Sequence, residues 1–517
     1  MKILIKRISI LIILLFLTGA CEEDFLEEQN PNAITADVFF ENATQVEQAV
    51  NTLYNIIMQG VRGGGDQNTF VQNARDGSSQ LTAGAFQVQV NYFNFGSSPQ
   101  DGDSDSFWDG AYTTIFRANT ILENIENADF GDDAETKERL LAETYFFRGL
   151  SYFHLAYMYG KVPIVLATPV DPEDFNPPAA STFDEVWDQA IADLLLAKAG
   201  LPIVDEADTG RVTWGAATGF LGKAYLYRAG YLEQSQNYAL AAEEFKEIID
   251  SDNYALVDSY VDNFTSSNEN NNESLYEFQY LFSTQDTPTQ NRPFNSVPGI
   301  GFEIFLRPSQ WLRDEMALER TINNEFDPRY LQTVYFNEGL PLFGVPYNQL
   351  GTGITCAGGG SPDGSSETTG GWWRKYLNVD LPCPPILVGQ DPDNNERILR
   401  YADILLMYGE AVVESGGNEL DLALEAVNAV RRRANLNDFT DTAGLLDEIK
   451  HQRVVEFAYE NMRYFDLIRW GELVTFIQAT GTATQISNID AVKHKYFPLP
   501  VQEVINNANL EQSEPWK

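Results

Sequence analysis

Apolar residues along the chain recur mostly at three- and four-residue steps, which is the spacing of amphipathic helices. The clearest case is 214–250, where two such stretches follow one another with a polar loop at 233–237 between them. Further helices are predicted at 46–58, 107–125, 134–159, 183–199, 400–414, 420–434 and 445–470. The pattern therefore predicts a mainly α protein whose helical hairpins lie at about 107–252 and 400–470.

The pair of helices at 214–250 also indicates how the hairpins pack. Gly222 lets a second helix approach closely, and Tyr225 and Phe245 supply one aromatic ring to each helix. This combination is typical of tetratricopeptide repeats, in which a hairpin cannot bury its apolar stripe without a neighbour. Ser181 is predicted to cap the helix that begins two residues later.

Helical periodicity is missing from two stretches, at about 60–105 and 253–395. Both are rich in glycine, asparagine and serine, and the second also contains many prolines and aromatic residues. Irregular segments of this length inside a globular domain are usually functional or mobile. The first is therefore predicted to be functional or mobile, and the second to form an irregular, loop-rich subdomain with a few short strands or helices.

The N-terminus resembles a bacterial lipoprotein signal. A basic start and an apolar run of only ten residues, too short to cross a bilayer, lie within 1–20. Residues 17–21 then resemble a lipobox, after which Cys21 becomes the acylated end of a single mature domain, 21–517. The alternative is an ordinary signal peptide with a cysteine at this position by chance.

The charge of the chain restricts its partners. Three of the 34 basic residues leave with the signal, and the mature chain then holds 31 against 75 acidic residues, a formal net charge of −44. Such a surface repels nucleic acid and anionic polymers unless a local basic patch intervenes. No nucleic-acid partner is expected, and neutral ligands are mildly favoured.

Residues for catalysis or metal binding are sparse. The three histidines are far apart, and no nucleophile elbow, Walker loop or dinucleotide fingerprint is present. Asp101, Asp103 and Asp105 resemble the start of a calcium loop but lack its later glycine and glutamate, which favours a solvated acidic loop. Cys356 and Cys383 permit one disulfide in an exported protein. Neither a metal nor a cofactor is predicted.

Several motifs resemble those of one family, the SusD/RagB-like surface lipoproteins of the Bacteroidetes. The segments that carry the resemblance are 21–26, 108–112, 117–119, 143–153, 159–163, 327–329, 375–376, 400–404, 427–432, 452–471 and 497–500. In the strongest, 452–471, Gln452 and Asn461 stand where the family usually has glutamate and glycine. Buried pairs such as Arg463 with Asp466 or Glu456 are expected there to fix helix ends and loops.

The resemblance implies a particular arrangement at the cell surface. A tetratricopeptide-like scaffold packs against a SusC-like, TonB-dependent outer-membrane β-barrel, and the irregular part carries the ligand site. The acidic residues at 22–24 resemble the tag that sends such lipoproteins to the outer face of the outer membrane. The implied location is therefore lipid-anchored and facing the cell exterior.

A site for sugars needs exposed aromatic platforms beside polar or charged groups, because sugars present an apolar face ringed by hydroxyls. The candidate ligand-binding residues are Arg75, Asp76, Tyr92 and Phe95 in the first irregular stretch and Tyr280, Trp311, Trp372 and Trp373 in the second. Each aromatic has an alternative role in the core. Trp372 and Trp373 are favoured because neighbours on extended backbone point to opposite sides, which should leave one exposed.

These residues and the resemblance together predict a surface lipoprotein without catalytic activity. It is expected to bind glycans or oligosaccharides and deliver them to the transporter. Two alternatives stay open: a member of the same family that binds peptides or another nutrient, and a secreted glycoside hydrolase. Retention of a glycan without new reducing ends separates the first interpretation from the hydrolase.

Overall fold

The structure is a computed structural model. It describes residues 39–61, 74–81, 85, 87–102, 105–203, 209–280, 306–342, 344, 346–347, 370–376, 395–460 and 462–517. The α-helices in these ranges are α1 (Ala43–Val61), α2 (Gln87–Phe93), α3 (Asp105–Asn124), α4 (Ala134–Met158), α5 (Phe183–Gly200), α6 (Trp214–Leu232), α7 (Gln236–Asp250), α8 (Gln310–Met316), α9 (Pro328–Thr333), α10 (Tyr401–Glu414), α11 (Leu420–Arg433), α12 (Leu445–Phe457), α13 (Arg463–Arg469), α14 (Leu473–Thr480), α15 (Ala483–Asn488) and α16 (Val501–Asn506). The strands are β1 (Ser79–Leu81), β2 (Ser274–Phe278), β3 (Leu306–Pro308), β4 (Val334–Tyr335), β5 (Trp372–Trp373) and β6 (Glu396–Arg400).

The long helices pack against one another in chain order. Helix α3 packs on α4, α4 on α5, α5 on α6 and α6 on α7. Helix α7 then contacts α10, which packs on α11 and α12, while α1 covers α3 and α4. The prediction of a mainly α fold built from helical hairpins is therefore confirmed. None of the described helices is long and apolar enough to cross a membrane.

The contact inside the central hairpin, α6 with α7, depends on a glycine as predicted. A Cβ atom at position 222 would lie 2.6 Å from the ring of Phe245, which is too close for any residue except glycine.

At the start of α5 the prediction of Ser181 as the cap is wrong by one residue. Thr182 has the extended backbone of a capping residue, and its hydroxyl accepts from the N–H of Glu185 at 3.3 Å.

The prediction of one helix over 445–470 is wrong, because α12 and α13 are separate. The chain leaves the helix after Phe457, and Tyr459 has φ +68°. This turn brings the carboxylate of Glu460 back between two buried cations, at 2.9 Å from Arg400 Nε and 2.8 Å from Lys375 Nζ. The break therefore places a charge that a continuous helix would direct elsewhere.

The loop-rich part contains short strands and helices, as predicted. The strands described there form three antiparallel pairs, β1 with β3, β2 with β6 and β4 with β5, and β3 also lies next to β5. A small apolar cluster around Leu312, Val334, Trp373 and Tyr459 gives this part a core of its own, separate from the main core of the helical array. That cluster fixes β5 against α8, α9 and the end of α12.

Candidate functional site

The residues predicted in the first irregular stretch come together, but in the interior. The Nε atom of Arg75 donates to the carbonyl of Tyr92 at 2.7 Å, and its guanidinium lies 3.6 Å from the centre of the Tyr92 ring. That ring also stacks on Phe497, and the ring of Phe95 meets the edge of His494. The expectation of an exposed aromatic platform is wrong here, because the rings are covered by Arg75 and by the C-terminal segment.

Asp76 is also buried, and it holds a turn. Its Oδ1 accepts from the N–H of Ser78 at 2.8 Å and from the Ser78 hydroxyl at 2.6 Å. Burial raises the pKa of Asp76 to about 6, although the bonds from Ser78 and the charge of Arg463 oppose this shift. No cation among the described residues lies within 4.0 Å of the carboxylate. Asp76 is thus a buried acid without an ion pair to any described residue.

Tyr280 and Trp311 lie apart from each other. Tyr280 is buried at the end of β2, where its N–H donates to the side chain of Asn395 at 2.8 Å. Trp311, half-buried on α8, meets Phe476 edge-on at 4.8 Å, with the guanidinium of Arg463 at 4.6 Å. Both rings serve packing in the described part of the chain, and a role for either in ligand binding stays a prediction.

Trp372 and Trp373 form β5 and point to opposite sides, as extended backbone requires. Trp373 is 0% exposed and stacks on Tyr459 with ring centres 4.3 Å apart. Trp372 is 6% exposed and lies under the guanidinium of Arg307, 5.7 Å from its ring centre. The expectation that one of the pair is exposed is therefore wrong, because Trp373 belongs to the small core and Trp372 is covered on the other side.

Trp372 belongs to a surface that the register of the strands assembles. Residues directly opposite each other in an antiparallel pair share a face. Gln80 lies opposite Arg307 in the first pair, and Tyr335 lies opposite Trp372 in the third. Since Arg307 also lies over the Trp372 ring, these four residues occupy one side of the neighbouring pairs. We call them, with Arg374, the strand face.

Arg374 joins this face by alternation along the chain. Trp373 and Lys375 both point into the small core, the latter with Nζ 4.6 Å from the ring centre of Phe264. Arg374, between them, therefore points to the side of Trp372. It is 6% exposed, and burial lowers the pKa of its guanidinium to about 10. Its side chain donates to Gln332 and to no carboxylate of the described residues. The face combines rings, an amide and cations.

Other buried charges form an ionic hub that the sequence does not reveal. The hub consists of Arg329, Lys375, Arg400, Arg433, Asp327, Glu273, Glu456 and Glu460. Its four cations match its four carboxylates, and Arg400 Nη1 lies 2.6 Å from Glu456 and 2.8 Å from Glu273. The hub joins α9, β6, α11 and α12, so its role is to hold elements together.

The predicted pairs of Arg463 with Asp466 or Glu456 are wrong. Asp466 instead accepts from Arg453 Nε and Arg469 Nη2, each at 2.8 Å, while Glu456 belongs to the hub. Arg463 lies over the rings of Trp311 and Phe476, and burial lowers its pKa. The two cations that Asp466 contacts lie 13 and 3 residues away in the sequence, on α12 and α13.

The remaining predicted residues give no site in the described structure. Cys21, Cys356 and Cys383 lie outside the described residues. No group of histidine, cysteine, aspartate and glutamate with the geometry of a metal site occurs within the described ranges. In the suggested calcium loop, Asp101 accepts from the backbone N–H of Ser98 at 2.7 Å and so closes a turn. Arg307 was not among the predicted residues, since only strand pairing brings it to Trp372.

Comparison with known proteins covers almost the whole chain. The sequence model of the SusD family matches residues 250–516, and that of a family described as "Starch-binding associating with outer membrane" matches residues 24–226. SusD-like protein P25 of Formosa agariphila is 28% identical over 99% of this chain and 98% of its own length. The starch-binding protein SusD of Bacteroides thetaiotaomicron is 24% identical over 74% of each chain.

A solved structure agrees with these matches. The crystal structure of a SusD superfamily protein from Bacteroides vulgatus superposes with a TM-score of 0.79 and 26% identity. The superposition covers 92% of this chain and 100% of that one. One family model spans more than half of the sequence, and the helical array has the same fold as the solved structure. The chain therefore belongs to the SusD family.

Proposed function

We propose that this protein binds glycans at the outer surface of the cell and passes them to a TonB-dependent β-barrel. The observation that carries the proposal is membership of the SusD family. The second sequence model that matches the chain supports it, because its description names starch binding and the outer membrane. A relative that aligns over 74% of this chain is named a starch-binding protein. No step of catalysis is part of the proposal.

The strand face supports a place for the glycan. Aromatic rings beside guanidinium and amide groups provide the apolar and polar contacts that sugar rings need. Trp372, which is 6% exposed, supplies the ring, and Gln80, Arg307 and Arg374 supply the polar groups, while Tyr335, which is 0% exposed, supports Trp372 from within. We therefore place the ligand over the side of β5 that faces away from the small core.

Affinity electrophoresis against a panel of neutral and acidic polysaccharides tests binding and its site. The mature protein should be retarded in gels that contain its ligand, and Trp372→Ala should abolish most of the retardation. Trp214→Ala is the matched control, because this half-buried tryptophan starts α6 in the helical array. Equal retardation of wild type and Trp372→Ala would remove the strand face as the site, while no retardation in any gel would contradict glycan binding.

The same incubations test the absence of catalysis. A binding protein retains the polysaccharide and produces no new reducing ends, which a colorimetric assay for reducing sugars measures. If purified wild-type protein produced reducing ends steadily, and a site variant produced them more slowly, the protein would be a hydrolase instead. Binding of a peptide pool with indifference to every glycan would favour the nutrient-binding alternative.

The anchor and the partner are separate parts of the proposal. Labelling cells with a palmitate analogue should mark the wild-type protein but not Cys21→Ala, which should leave the membrane fraction. Solubilised outer membranes should then yield a complex of the wild-type protein with a β-barrel of the TonB-dependent class. A wild-type protein that sediments without label, or that elutes without a barrel at every detergent concentration, would contradict these two parts.

A further inference from the structure

Two arginines converge just before β5, and a third follows the strand. The Nη1 atoms of Arg307 and Arg313 lie 3.7 and 3.8 Å from the position that a Cβ atom would take at Gly370. Arg374 follows β5 on the side of Trp372. In a chain with a formal net charge of −41, such a concentration of positive charge is an exception. A local basic patch is what an acidic chain needs in order to take an anionic ligand.

Two of these cations have no carboxylate partner in the described structure. Asp314 and Glu315 lie next to Arg313 in the sequence, yet Asp314 accepts from Gln310 at 2.6 Å and Glu315 pairs with His451 at 2.7 Å. Within the described ranges, the side chain of Arg374 reaches only the amide oxygen of Gln332, and its Nε atom has no acceptor there. The described part of the chain therefore leaves a cation nine-tenths buried without a counter-charge.

A second donor on the same side lacks an acceptor. The indole Nε1 of Trp372 is buried and has no hydrogen-bond partner among the described residues. Buried donors are nearly always paired, because an unpaired one destabilises the fold, and a buried charge without its partner does so more strongly. Two such groups, two residues apart in the sequence, indicate a shared acceptor that carries negative charge.

We propose that the strand face contains a subsite for an oxyanion on the glycan, the carboxylate of a uronic acid or a sulfate ester. The subsite rests on the proposed glycan binding and names the class of ligand. Arg374 supplies the charge and Trp372 an indole N–H, with Arg307 and Arg313 at the edge. A neutral sugar offers hydroxyl acceptors to these donors but leaves the charge of Arg374 uncompensated.

Isothermal titration with matched oligosaccharides tests the subsite. The pair consists of an oligouronide and the same oligosaccharide after reduction of its carboxyl groups to alcohols, and a sulfated oligosaccharide with its desulfated form is the second pair. Wild type should bind the acidic member of one pair at least tenfold more tightly, and the pair that shows it identifies the anion. Arg374→Gln should remove this preference, while Trp372→Phe should reduce it a few-fold. Arg432→Gln, on the exposed face of α11, should leave it unchanged.

A measurement with the anion alone separates the subsite from glycan binding as a whole. Glucuronate or sulfate, added at constant ionic strength against chloride, should raise the melting temperature of the wild type and of Arg374→Lys but not of Arg374→Gln. Equal affinity for both members of every pair, or no rise with either anion, would overturn the subsite even where neutral glycans bind. A rise that depends on Arg374 in a protein that binds no glycan would uphold the subsite and contradict the proposed function.

Discussion

The ionic hub and the strand face are both built on buried arginines, but they treat charge in opposite ways. Arg400, in the hub, contacts three carboxylates within 3 Å. Arg374, on the strand face, contacts an amide and no carboxylate of the described residues. A structural role requires that the buried charges of the hub balance one another. A buried charge without a counter-charge is more common at sites that bind ligands or carry out reactions.

Titration behaviour separates Glu456 in the hub from Asp76 and Arg374, although burial also lowers the pKa of Lys375 in the hub to about 8. In the hub, burial raises the pKa of Glu456, but the charges of Arg433, Arg400 and Arg329 outweigh it and hold that pKa well below its usual range. For Asp76 and Arg374 no ionic partner outweighs burial, so the pKa of Asp76 rises to about 6 and that of Arg374 falls to about 10. These two charges are therefore kept buried at a cost to stability.

Arg400→Met should give the largest loss of stability. It leaves Glu273, Glu456 and Glu460 in the interior without their main cation, and breaking a buried ion pair from one side costs about 3–5 kcal/mol. Equilibrium unfolding in urea measures the change. Arg432→Met is the matched control, because Arg432 is 46% exposed beside Glu425 and Asp438 and should lose less than about 1 kcal/mol. Equal losses in the two variants would show that the hub is not special.

Asp76→Asn should change how stability depends on pH. The folded pKa of about 6 lies above the ordinary value of 3.8, so the contribution of this group is fully present below pH 3.8 and is lost as the pH rises through 6. The wild type should therefore lose about 2 kcal/mol relative to the variant between pH 4 and pH 7. Urea unfolding of both proteins across this range measures the difference. If the free energy of unfolding of the two proteins changed in parallel with pH, the raised pKa of Asp76 would be contradicted.

His451→Gln should show a dependence of the same sign at higher pH. Burial alone lowers the pKa of His451, but hydrogen bonds and ion pairs with Glu315 and Glu319 outweigh it and raise the pKa to about 9. This contribution is present below pH 6.5 and is lost as the pH rises through 9. Solvent partly screens the cluster, so a loss of about 1.5 kcal/mol in the variant at pH 6 is expected. The loss should vanish at pH 10, and an equal loss at both pH values would contradict the ion pairs.

The sequence predicts the helical array better than the loop-rich part because helical periodicity is a local signal. The contact of Gly222 with Phe245 is of this kind. The break after α12 depends instead on Glu460 reaching Arg400, 60 residues away in the sequence. The opposite directions of Trp372 and Trp373 could be predicted from the sequence. Their burial could not, because the residues that cover each side come from α8, α9 and β3. Site chemistry that depends on strand pairing is invisible to residue spacing.

Arg374→Met should have the smallest effect on stability and the opposite sign to Arg400→Met. An apolar side chain of similar length keeps the contacts of the arginine stem but removes a buried charge that no carboxylate of the described residues balances. The free energy of unfolding should rise by about 1 kcal/mol or stay unchanged, as urea unfolding in chloride buffer measures. Because the identical substitution is made in both regions, the difference in sign reports the missing counter-charge alone. A loss as large as that of Arg400→Met would mean that Arg374 is a structural cation, and the contrast between hub and strand face would then fail.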